Sequence, residues 1–371
     1  DPKRFDKLKL INSTMKQLRS RLAVKVLFIV LLHTAQCLAN NNNKKKAFVT
    51  IVTTKEDVEP AMVMGSSLRA MTRSSSSSSE YICLVLREEE VEEKPDDDDD
   101  KVGVSLLDRK KLTFAGWTTI PVTHSISNTN FDGSNHSWED VDWNILWLWS
   151  LQEYETIVYA DVSNLIIQDI TELFDIQVHF AAAPQLFSSH QFDTAVLVLK
   201  PNVVTFQDMV IKIPQSKNSI SSREFLNDYF SEWYSGNFEH RLLPLYNAPY
   251  HWTQYQESDS WESYRSDVKV IHFQGESEKP WLVLRENYPV SKYGAPIIYV
   301  WAIVLYFIAN PIANKSNNSD KNSSLEDETR YVLTKIFDVT KSSKKIAFYI
   351  EKIKRGGTRL RIGIHDHDGE L

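Results

Sequence analysis

The chain has 371 residues, enough to bury a sizeable core, most simply as one domain of roughly 250 residues with tails. It carries 42 Lys and Arg against 49 Asp and Glu, a formal net charge of −7, which argues against nucleic acid as a partner. Aromatic content is high (10 Trp, 15 Tyr, 17 Phe), whereas only 11 glycines occur and none form a G-x-G-x-x-G phosphate loop.

Residues 1–45 read as upstream residues followed by a signal peptide or anchor. Met15 precedes the basic Lys16, Arg19, Arg21 and Lys25, then the apolar run 26–32, then small residues near Ala35 and Ala39. Met15 starts this pattern so naturally that residues 1–14 fall outside it. The pattern points to the secretory pathway, at a Golgi or endoplasmic reticulum membrane, with the main domain lumenal. Cleavage would remove Cys37 and leave Cys83 alone, so no internal disulfide would form.

The globular domain is expected over 46–284. The run 47–53 predicts a first strand, and 60–71 a helix with Pro60 in its first turn and Met64, Leu68 and Met71 at helical spacing. The serine run 74–79 reads as a surface connection. A second strand is predicted over 81–86, with Cys83 as inert packing. Between Glu88 and Lys101 ten Asp and Glu stand against two Lys, the mark of a solvated loop. A helix over 106–114 leads through Gly116 to a third strand over 118–122. A helix rich in Trp and Leu is predicted over 143–155.

The stretch 157–167 is the most telling. Two apolar runs flank a short polar break carrying Asp161. The first run reads as a strand buried on both faces, which puts Asp161 at its carboxyl end. Open α/β sheets bind ligands there, so a metal and a phosphorylated substrate are expected at this point. A second carboxylate would be expected two residues on, where Ser163 stands. Next come a short helix over 170–174, strands over 180–183 and 194–199, a helix over 223–233 and a last strand over 268–273. Strands alternating with helices predict an α/β fold with a mixed, mostly parallel sheet flanked by helices.

The run 296–313 is free of charge, with only Asn310 and Pro311 interrupting its apolar end, and predicts a transmembrane helix over 294–313. A buried helix is the alternative. The tail 314–371 is basic, which fits a cytoplasmic side, but sequons at Asn314, Asn317 and Asn322 require a lumenal one. A further sequon at Asn135 lies in the expected lumenal domain.

The ordered series of fragments across 46–284 resembles glycogenin and its relatives. The fragments are Ala47-Phe48-Val49-Thr50, Gly65-Ser66-Ser67-Leu68, Trp149-Ser150-Leu151, Val158-Tyr159-Ala160-Asp161, Ile170-Thr171-Glu172-Leu173-Phe174-Asp175, Phe225-Leu226-Asn227, Tyr246-Asn247, and Val270-Ile271-His272-Phe273-Gln274-Gly275 followed by Lys279-Pro280-Trp281. These relatives are retaining glycosyltransferases of family 8, with the Rossmann-like type-A nucleotide-diphospho-sugar transferase fold. The leader and the apolar run near the carboxyl terminus are similar in layout to membrane-associated plant glycogenin-like glucuronosyltransferases.

The resemblance implies a UDP-sugar donor, a glycan, lipid or protein acceptor, and Mn²⁺ to stabilise the leaving diphosphate. It implies Asp161 and His272 as metal ligands, with Ser163 in place of the second Asp. It assigns the diphosphate to Lys279, with Gly275 allowing close approach, and adds Thr53 to the donor-binding set. Several positions depart from the pattern. Ile145 replaces a helix-borne lysine, Asp193-Thr194-Ala195 an Asn-Ser-Gly, Ser222-Arg223-Glu224 an Asp-Gln-Gly, and Asp57 a uridine-stacking tyrosine. Asp193 is a candidate substitute carboxylate, and Arg223 a candidate phosphate-neutralising cation. Two readings follow: a retaining transferase with altered donor contacts, or an inactive homologue serving as a binding or scaffold subunit.

Overall fold

The computed structural model of the chain describes residues 45–72, 79–86, 103–122, 126, 139–185, 188–213, 221–255, 266–286, 288, 295–309 and 325–334. The leader, the acidic run, the four sequons and most of the basic tail lie outside these residues. The first strand, β1, is Lys45–Val52; β2 is Ser79–Leu86, β3 Thr118–Val122 and β4 Tyr154–Ala160. A short β5 (Asn164–Ile166) follows, then β6 (Phe180–Gln185), β7 (Ser188–Leu199), β8 (Ala248–Pro249) and β9 (Val270–His272). Six strands form one sheet in the order β3-β2-β1-β4-β7-β6. The pairs β1–β2, β1–β4 and β2–β3 are parallel, while β7 runs antiparallel to both neighbours. A second sheet, β5-β9-β8, sits beyond the end of β4. The fold is thus mixed α/β with a mostly parallel central sheet.

Helices cover both faces. Helix α1 is Val58–Thr72, α2 Leu106–Phe114, α3 Val203–Lys212, α4 Ser222–Tyr229, α5 Pro280–Glu286, α6 Ala295–Ala309 and α7 Leu325–Thr334. On one face of the sheet, Phe48, Val158 and Val198 pack with α1, α6 and α7; on the other, Ile157, Tyr159 and Leu197 pack with a Trp-rich 3₁₀ segment, Glu139–Ser150, and with α3 and α4. The alternation along β4 therefore serves two cores, as expected for a strand buried on both faces.

Thirteen of the fifteen α1 residues are buried. A helix apolar or small all round belongs inside a protein, and α1 lies between the sheet and α6 and α7. Gly65 is required by this packing, because a Cβ there would enter the Trp117 ring, whose Nε1 donates to the Ala61 carbonyl at 2.9 Å. Gly116 has φ of 97°, the left-handed region, and lets the chain turn from α2 into β3.

Two sequence expectations are corrected. The helix expected over 143–155 is the 3₁₀ segment and ends at Ser150, because Tyr154 already begins β4. The helix expected over 223–233 ends at Tyr229. Of the run expected to cross a membrane, residues 295–309 are described and form α6, packed against α1 and α7, with Ile297, Ile298, Trp301 and Val304 at most 1% exposed. Among the described residues no helix is long and apolar enough to cross a membrane. The packed unit continues past residue 284 through α6 and α7, and Arg69 of α1 holds Glu326 of α7 at 3.1 Å.

Candidate active site

Asp161 follows the last residue of β4, at the carboxyl ends of the parallel strands. Its backbone N–H donates to the Ala195 carbonyl at 2.9 Å, which fixes it beside β7. The next residues turn into β5, where Asn164 pairs with His272 of β9, and the Phe273 N–H donates to the Ser163 carbonyl at 3.0 Å. Residues more than a hundred positions apart thereby meet at one strand end. Asp161, Asp193, Arg223 and His272 line one cleft of about 250 Å³, together with Gln185, Thr194, Ala195 and Gln274.

Arg223 occupies the first turn of α4, whose start is set by Ser221. The Ser221 hydroxyl accepts from the Glu224 N–H, and the Glu224 carboxylate accepts from the Ser221 N–H. This capping box explains why Glu224 faces its own helix and Arg223 the cleft. The Arg223 guanidinium is 46% exposed and stands 4.0 Å from the Asp193 carboxylate, which is 7% exposed. The other Asp193 oxygen accepts from the Ala195 N–H at 2.9 Å, so this carboxylate is fixed while the guanidinium is loosely paired.

His272 is buried, and burial holds its imidazole below the ordinary histidine value, against the pull of Asp193 and Asp161. Its Nδ1 has no hydrogen-bond partner, and neither does Oδ1 of Asn164, its neighbour across the β5–β9 ladder. Each such orphan costs about 1–3 kcal/mol until something fills it.

The other expected residues lie around this cleft, not in its wall. Thr53 is buried after β1, 3.5 Å from the Asp57 carboxylate. Burial, with the Asp161 charge added, raises the Asp57 carboxyl above its ordinary value. Asp57 was seen in the sequence only as a lost stacking partner; its carboxylate is an electrostatic neighbour of the site. The Lys279 ammonium sits 5.9 Å from the Trp281 ring centroid, near enough to His272 to lower its pKa. A Cβ on Gly275 would meet nothing closer than the Glu278 side chain at 3.7 Å, so the chain's own packing does not require glycine there. Ile145, in place of a lysine, is buried with Trp143 and Leu146. Gln185 and Gln274 were missed as cleft residues, although Gln274 lies inside a quoted fragment.

The Mn²⁺ expected between Asp161 and His272 does not fit these side chains. Asp161 Oδ1 accepts from both the N–H and the hydroxyl of Ser163, and Oδ2 accepts from the Tyr159 hydroxyl at 3.2 Å. Both oxygens are thus engaged by the chain. Among the described residues no three His, Cys, Asp or Glu side chains gather as a metal centre. Manganese favours an oxygen-rich octahedral shell, and one engaged carboxylate with one imidazole does not supply it.

No family model matches the chain. Over 134 residues it is 31% identical to glycogenin-1 of Caenorhabditis elegans, covering 36% of this chain and 30% of that protein. Over that stretch the chain is similar to glycogenins. It is also 26% identical over 180 residues to a putative UDP-glucuronate:xylan alpha-glucuronosyltransferase 5 of Arabidopsis thaliana, covering 47% of this chain and 29% of that protein. It spans less than a third of the length of either relative. Among solved structures, the galactosyltransferase LgtC with donor and acceptor sugar analogs superposes with a TM-score of 0.44 at 15% identity, over 63% of this chain and 89% of that one.

Proposed function

We propose that this chain is a retaining hexosyltransferase that takes its sugar from a UDP-sugar bound at the cleft around Asp161. One observation carries the reading: Asp161, Asp193, Arg223 and His272 converge on a cleft at the carboxyl ends of the parallel strands, in a glycogenin-like sequence. The cleft has one exposed cation, Arg223, suited to a diphosphate by its planar fork of donors. Lys279 adds positive charge beside His272.

In this reading the donor's bond between the anomeric carbon and the β-phosphate oxygen breaks while an acceptor hydroxyl attacks from the same face. The departing phosphate oxygen takes the acceptor proton, and configuration is retained. Arg223 and Lys279 stabilise the charge that grows on the diphosphate. Asp193 holds Arg223 towards the cleft. The His272 imidazole, held below its ordinary value by burial, has a buried and unpartnered Nδ1 that a donor hydroxyl or phosphate oxygen would complete. The acceptor is a glycan, lipid or protein hydroxyl, and the leader-like pattern over 15–39 supports a lumenal, secretory setting.

A second reading, an inactive homologue that binds without transfer, is favoured by Ser163 and by the replacement of Asp-Gln-Gly with Ser222-Arg223-Glu224. UDP release from UDP-sugars, measured with and without Mn²⁺, separates the two. Sugar-dependent UDP release that disappears in Asp161→Ala supports transfer. UDP-sugar binding without release supports the second reading, and absence of both sinks the donor site altogether.

A further inference from the structure

The end of β4 remote from Asp161 opens on a second and larger cleft, of about 720 Å³. On β7 and its end, Ala195 lines the first cleft and Lys200 the second, five positions apart, about 17 Å at ~3.3 Å per residue. The position follows from the topology: His179 precedes β6, Lys200 follows the antiparallel β7, and Trp149 comes before β4. The volume lies within the usual range for small-molecule sites, about 300–1,000 Å³.

Two properties of the wall are joined here. The first is aromatic. Phe230 stacks on Phe180 with centroids 4.1 Å apart and planes at 8°, and Trp149 lies 5.8 Å from Phe230. Tyr229 meets Phe230 edge-on at 76°. These rings use their faces on one another and present a broken apolar wall. A puckered sugar ring, apolar on one face and hydroxylated at its rim, suits such a wall better than a flat base does.

The second property is a rim of nitrogen donors, with Lys200 as its unpaired cation among the described residues. The His179 and His240 rings stand 5.4 Å apart, and Lys200 is close enough to act on His179. Burial first, and then His240 and Lys200, hold the His179 imidazole below its ordinary value. Lys200 donates to the Gln177 carbonyl at 2.7 Å and makes no ion pair among the described residues. Lys212 is already paired with Asp208 at 2.7 Å. Glu232 also lines the cleft and is the one carboxylate in its wall.

We propose that this cleft is a glycan-holding site for an acidic oligosaccharide, with Lys200 and His179 meeting the carboxylate and the Phe230–Tyr229 wall meeting a sugar ring. The site is separate from the transfer cleft and does not depend on transfer taking place.

Titration of the full chain with trigalacturonate, maltotriose and UMP, read by calorimetry and by tryptophan fluorescence, tests this. Trigalacturonate is expected to bind at least tenfold tighter than either other probe. Its affinity falls in Lys200→Glu and in His179→Gln, and also falls for the unaltered chain when salt rises from ~50 to ~500 mM. Saturating UDP leaves it unchanged. Equal binding of maltotriose, tighter binding of UMP, indifference to salt, or competition by UDP would each overturn the proposal.

Discussion

The two ends of β4 solve opposite problems on one rigid strand. At the Tyr154 end, large rings stack on one another and the polar groups form a rim. At the Asp161 end, carboxylates and an imidazole are partly or wholly buried, and two polar atoms, Nδ1 of His272 and Oδ1 of Asn164, have no partner. The first arrangement stabilises the fold through apolar area and ring contacts. The second costs stability, and proteins keep such groups where a ligand completes them. The contrast predicts that substitutions of the stacked rings, Trp149 first, act on folding and those of the polar groups near Asp161 act on ligands.

The largest expected effect belongs to the aromatic end. Trp149 is 2% exposed and stacks with both Phe180 and Phe230. Trp149→Ala should lower the unfolding free energy by about 3–5 kcal/mol in denaturant titration. A loss below about 1 kcal/mol would mean that this end is not the scaffold described.

Next in size is the carboxylate. Asp161→Ala should cut UDP release by about a hundredfold, near 2.7 kcal/mol in the barrier. Ser163→Asp sharpens the same point. It removes the hydroxyl that occupies Asp161 Oδ1 and adds a carboxylate, so Mn²⁺ affinity should rise at least tenfold by calorimetry. No change would show that this strand end cannot be rebuilt into a metal site by one residue.

Arg223→Ala separates the two regions most cleanly. The side chain is half exposed, so stability should move by no more than about 0.5 kcal/mol, while UDP affinity falls about tenfold. The opposite pattern, lost stability with retained affinity, would assign Arg223 to the fold.

The smallest effect is in pH. The His179 imidazole titrates below its ordinary 6.5, with His240 and Lys200 as the neighbouring cations. The folded state then binds fewer protons than the unfolded state, so this contribution is present above pH ~6.5 and is lost as pH falls below it. In His179→Phe the midpoint of unfolding should fall less between pH 7 and pH 5 than in the unaltered chain. An equal or steeper fall would contradict the assignment.

The scaffold was largely legible in the sequence because its signals are local. Leu106–Phe114 and Thr118–Val122 carry helical and strand patterns bounded by Gly116, and both ranges match to the residue. The run 296–313 left two readings open for a physical reason. A helix apolar on every side has no amphipathic period, so a buried helix and a membrane helix read alike until its length and neighbours are known. Helix α3 was passed over although Phe206 and Met209 sit at helical spacing. In the cleft, charged residues were visible because Asp161 and His272 end apolar runs. Gln185 and Gln274 were not, since an uncharged amide is equally at home on any surface. The occupation of Asp161 by Ser163 could not be read either, because it depends on how the chain turns after β4.

The most direct test of the central claim is UDP release from a panel of UDP-sugars, with the unaltered chain and Asp161→Ala assayed side by side. The account predicts release with at least one UDP-sugar and a drop of about a hundredfold in Asp161→Ala. Release at the same rate in both proteins would contradict it, because the strand end at Asp161 would then not be where the sugar is moved.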